Sequence, residues 1–104
     1  MSSANKGEIG YPIRVNAGED ISSATSVVII LQPEAGTAKE FTATVPNVTV
    51  TFNGVTYTAN EYAEYTTLKE DDLDYVGKWR KKAESTFSST NIPQTNYVKF
   101  RVLA

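Results

Sequence analysis

The chain has 104 residues, which suits one domain with one modest core and leaves no room for two. Its 10 basic and 12 acidic residues are mixed along the sequence for a net charge of −2. That balance does not recommend a nucleic acid or an anionic membrane, both of which select clustered Lys and Arg. Cys and His are both absent, so disulfides, thiolate metal sites, the commonest general base and the Ser-His-Asp triad are excluded together.

Residues 1–7 are polar, lack the apolar stretch of a signal peptide, and read as a flexible arm ahead of a single domain over 8–104. No stretch approaches the roughly 18 apolar residues of a spanning helix. A period of two dominates from there on. Ile9, Tyr11, Ile13 and Val15 alternate with Gly10, Pro12 and Arg14, a half-buried strand that Pro12 confines to an edge or breaks. After a turn at Gly18-Glu19-Asp20, Val27–Leu31 is a continuous β-branched run and predicts a central strand. Pro33–Gly36 turns the chain, and Lys39–Val45 returns with Phe41, Ala43 and Val45 on one face.

Asn53-Gly54 between two alternating runs predicts a tight hairpin over residues 48–58, because a type I′ turn needs positive φ at both central positions. Tyr62–Thr67 reads as another strand. Glu70–Asp74 reads as one solvated helical turn, capped by Asp71 or Asp72 and closed by Gly77. Lys78–Phe87 is a strand built around Trp79, the stretch Ser88–Thr95 a loop, and Tyr97–Leu103 a last strand with Val98, Phe100 and Val102 on one face. Seven to eight short antiparallel strands predict an all-β domain, a β-sandwich first and an open barrel second. The predicted core contains Ile13, Val28, Ile30, Trp79, Ala83 and Phe100.

Each chemical cluster has a plain structural reading. The acidic run lacks the spacing of a calcium loop. Strand alternation puts Trp79, Lys81 and Ala83 on one face and Lys78, Arg80 and Lys82 on the other. That is a core tryptophan with three solvated cations rather than a platform for single-stranded nucleic acid, and Lys81 is the awkward member. Six tyrosines (Tyr11, Tyr57, Tyr62, Tyr65, Tyr75, Tyr97) raise a carbohydrate-binding reading, but tyrosine also suits half-buried strands. No elbow, phosphate loop or metal-ligand pattern points to an enzyme, a metal or a cofactor.

Asp20-Ile21-Ser22-Ser23-Ala24 leads into the second strand, the turn Pro33-Glu34-Ala35-Gly36-Thr37 follows it, and Asp72-Leu73-Asp74-Tyr75-Val76-Gly77-Lys78-Trp79 precedes the penultimate one. With the closing Val98–Val102 strand, this order resembles the immunoglobulin-like domain of phage virion proteins, typified by the N-terminal domain of the baseplate upper protein family. The resemblance covers about residues 8 to 103. It departs at Ser23, where glycine is usual, in the turn, and at Lys81, where an apolar residue is common.

The resemblance implies an immunoglobulin-like β-sandwich made in a bacterial host and built into a virion. Its role would be an adaptor or attachment component of the tail, neck or baseplate. Its partners would be other virion structural proteins in a symmetric multi-copy assembly. A capsid decoration (cement) protein and a carbohydrate-binding module for host glycans are the alternatives. Exposed termini and loops place the expected contacts on Ser2, Ser3, Asn5 and Lys6 and on Ser88, Ser89, Asn91 and Gln94.

Overall fold

The computed structural model describes residues 3–52, 54–88 and 91–104. Among them are nine strands and one 3-10 turn. The strands are β1 (Ser3–Asn5), β2 (Pro12–Asn16), β3 (Ser26–Pro33), β4 (Lys39–Thr42), β5 (Val50–Phe52), β6 (Val55–Tyr57), β7 (Tyr62–Thr66), β8 (Gly77–Thr86) and β9 (Val98–Leu103); the turn covers Glu70–Leu73. The protein is all-β, as its period of two requires.

Five strands form one mixed sheet in the order β1-β9-β8-β3-β4, while β2 pairs with β7 and β5 with β6. The sheet curls at the end of β4. The Ala43 N–H still donates to Val27 of β3, but Thr44 exchanges both backbone hydrogen bonds with Glu64 of β7. The β2–β7 pair thereby comes over the concave side of the large sheet. Ile13, Val15 and Ala63 join Ile29, Leu31, Trp79, Ala83, Phe100 and Val102 in a single apolar cluster. Arg14 ties the small hairpin to this pair: it forms an ion pair with Glu64 at 2.8 Å and lies over the rings of Phe52 and Tyr57. Phe52 pairs with Val55 across the hairpin connection, and Gly54 has φ +78, a left-handed conformation that glycine adopts without strain.

Ile13, Trp79, Ala83 and Phe100 are buried. Val28 and Ile30 are not core residues: they are half-buried on the opposite face, and Val27, Ile29 and Leu31 point inward instead. An uninterrupted apolar run carries no alternation from which to read its phase. The phase is set by the partner strand, because paired residues share a face. Trp79 and Ala83 face inward, so their partners Pro33 and Ile29 do too.

Two further expectations are corrected. Residues 3–7 are not a loose arm. β1 lies parallel to β9, which makes the sheet mixed rather than wholly antiparallel, and Ala4 is only 3% exposed. The N–H groups of Lys6 and Gly7 donate to Leu103 and Leu73. The edge of β9 offers unpaired backbone groups, and the small Ala4 fits beneath it. The stretch after β8 is a loop, as expected, but a tethered one. Isolated pairs Glu84–Gln94 and Ser88–Asn91 fold it back along the upper half of β8.

The 3-10 turn is held by Asp72. Its carboxylate accepts from the Leu68 and Lys69 N–H groups and from the Tyr65 hydroxyl at 2.7 Å. Burial raises the Asp72 pKa, but these hydrogen bonds, helped by the charge of Lys39, outweigh it and hold the carboxyl below its ordinary value.

Lys81 resolves differently from any carboxylate pairing. It is 7% exposed on the core side of β8, with Nζ 5.6 Å from the centre of the Phe100 ring. Burial, and then the charge of Arg14, pull its pKa down to about 8. The folded chain therefore sheds this proton from about pH 8 while the unfolded chain keeps it to about 10.5, so stability rises with pH across that window. Tyr65 acts in the opposite sense. Burial, then the hydrogen bond and charge of Asp72, push its hydroxyl up to about 12, so stability falls once the unfolded chain ionises near pH 10. Urea unfolding is expected to show stability climbing from about pH 8 and declining beyond about pH 10. Lys81→Met should gain about 2–3 kcal/mol at neutral pH and abolish the climb. A variant weaker than the parent at neutral pH would contradict this account.

Candidate functional site

The outward positions of β8 are Lys78, Arg80 and Lys82, the residues between its buried Trp79, Lys81 and Ala83. β9 runs antiparallel beside it with Phe100 and Val102 inward, which turns Lys99 and Arg101 outward. The register then sets cation against cation: Lys78 opposite Arg101, and Arg80 opposite Lys99. Side chains opposite one another on a sheet have Cβ atoms about 4.5–5.5 Å apart, and like charges so placed repel.

Among the described residues no carboxylate forms an ion pair with these five cations. The ion pairs among the described residues are Arg14–Glu64 and Lys39–Asp74, both away from this face. Glu84 on β8 and Glu40 on β4 are the carboxylates at outward strand positions of the sheet. Tyr97, just before β9, is half-exposed and lies against two of the cations. The Arg80 guanidinium is 4.6 Å and the Lys82 ammonium 4.9 Å from its ring centre. Lys82 also donates to the Gln94 side chain at 2.9 Å. Half-buried Val28, Ile30 and Gln32 of β3 continue the face beside them.

At the Lys78 end lies an open cleft of about 630 Å³, lined by Gln32, Glu34, Lys78, Arg80, Lys99 and Arg101. Half of the chain's ten basic residues thus share one sheet face. The face is suited to holding negative charge by contact.

The expected contact residues divide around this face. Ser3 pairs with Arg101 across β1 and β9, Asn5 pairs with Leu103, and Lys6 follows them. Gln94 touches Lys82, while Ser88 and Asn91 sit at the exposed tip of the β8–β9 hairpin. Ser2 and Ser89 lie outside the described residues. Sequence reasoning missed Lys99 and Arg101. Their signal was the alternation Tyr97-Val98-Lys99-Phe100-Arg101, which becomes informative only once β9 is paired with β8.

Three of the six tyrosines that motivate sugar binding are engaged inside the fold, while Tyr97 is exposed on the cationic face. Tyr57 and Tyr62 are buried, and Tyr65 stacks on Phe41 at 4.3 Å and bonds to Asp72. Among the described residues no group of three or more Asp or Glu side chains is arranged to hold a metal ion. No helix among them is long and apolar enough to cross a membrane. The chain matches no family model, no curated protein and no solved structure.

Because the cross-strand cation pairs oppose folding, removing one should help the isolated chain. Lys99→Gln is expected to raise stability by about 0.2–1 kcal/mol at low salt, and the gain should fade as salt screens the repulsion. Thermal melts at low and high ionic strength check both points. A loss of stability at low salt would show that Lys99 has a favourable partner.

Proposed function

We propose that this chain is a non-enzymatic structural domain that binds another protein through its cationic sheet face. Its setting is a tailed-phage virion, where it serves as a small immunoglobulin-like adaptor of the tail, neck or baseplate. The observation that carries the binding role is the doubled row of cations on β8 and β9 that form no ion pair among the described residues. Such an arrangement costs the free chain stability, and a partner bearing negative charge relieves it.

Support for the immunoglobulin-like assignment comes from the β2–β7 pair lying over the five-stranded sheet, and from the corner at Ala43–Thr44. A strand that passes from one sheet to the other in this way is a device of packed sandwiches. The particle itself is supported by the motif resemblance alone. Head decoration uses the same contacts at a different copy number and is the second reading.

Quantitative mass spectrometry of purified particles, referenced to the major capsid protein, separates these. A few to a few dozen copies is the expected result and fits rings of low symmetry. Hundreds of copies would move the chain to the head surface. Its absence from the particle would overturn the virion assignment.

A further inference from the structure

We propose that the occupant of the cationic face is an extended acidic segment of a partner protein, laid along β8 and β9 with Asp or Glu at alternate positions. This inference rests on reading the face as a docking surface and names the chemistry of what docks there.

The first argument is spacing. Outward side chains of one strand repeat every second residue, about 6.6–6.8 Å. Lys78 with Arg101, Arg80 with Lys99, and Lys82 with Tyr97 therefore form three successive rungs. An extended polypeptide has the same repeat for its own alternate side chains. At the first two rungs a carboxylate can sit between two cations, turning each repulsive pair into a bridge with charge-assisted hydrogen bonds, and at the third it meets the Lys82 ammonium beside Tyr97.

The second argument is what surrounds the rungs. Glu84 lies beyond Lys82 on the same face, Glu40 stands on β4, and Glu34 rims the cleft. A phosphodiester chain carries a charge at every residue and meets these carboxylates unfavourably. A polypeptide places neutral or basic residues opposite them. The remaining surface is also of the protein-binding kind: two arginines, the half-exposed Tyr97, and the aliphatic Val28, Ile30 and Leu103.

The test is a low-salt titration of the full chain with poly-L-glutamate and, separately, with oligothymidylate of equal charge. Poly-L-glutamate is expected to bind more tightly, with affinity falling as salt is added. Arg80→Gln/Lys99→Gln should weaken it about tenfold or more. The control Lys39→Gln/Lys69→Gln, which removes the same charge away from this face, should stay within about twofold. Thermal melts of both variants establish that they are folded.

Tighter binding of the oligonucleotide would make the face a nucleic-acid site and overturn the proposal. Equal poly-L-glutamate binding by both variants would overturn it as well. If the proposal fails while the chain is still found in particles, the structural role stands and the contact lies elsewhere. If poly-L-glutamate binds as expected but the chain is absent from particles, the virion setting fails and the acidic partner is sought outside it.

Discussion

The antiparallel ladder between β3 and β8 is the constraint on which the rest depends. It runs for eight residue pairs, from Ser26 opposite Thr86 to Pro33 opposite Trp79. Its register puts Ile29 against Ala83 on the inner side, and so places Trp79 and Leu31 in the core. The same register turns Lys78, Arg80 and Lys82 outward. A slip of one residue would bury those cations and expose the tryptophan. Core and candidate site are therefore two faces of one decision made along a single strand.

β9 doubles the effect. Its pairing with β8 buries Phe100 beside Trp79 and, as a consequence, stacks Lys99 and Arg101 against Arg80 and Lys78. Setting these cations opposite one another opposes the folding of the free chain. Lys81 shows the reverse cost. It is a cation held on the core side, tolerated because its stem packs and its ammonium lies over the Phe100 ring. The molecule thus accepts strain from charge on both faces of β8, but only the outer one is open to a partner that relieves it.

Much of the fold was legible because strands announce themselves by alternation. The pairing of the strands that flank Gly54, the inward Trp79 and Ala83, and the strand around Ile13 were all readable from local pattern, while Asn53 lies outside the described residues. The phase of Val27–Leu31 was not, since five consecutive apolar residues look alike from either side. Nor was β1, whose three polar and small residues gain their order from the exposed edge of β9 rather than from any propensity of their own. The candidate site was half visible. Lys78, Arg80 and Lys82 were seen to face solvent, but they look like an ordinary solvated stripe until Lys99 and Arg101 are set beside them by long-range pairing. Cross-strand register is a tertiary property, and a local reading does not contain it.

Amine labelling with residue-resolved mass spectrometry tests the central claim most directly, since it reports on both faces of β8 at once. In the free chain Lys78, Lys82 and Lys99 should label rapidly and Lys81 slowly; in the poly-L-glutamate complex the first three should become protected together. Labelling of Lys81 as fast as Lys78, or protection that leaves Lys78 and Lys99 untouched, would contradict the account.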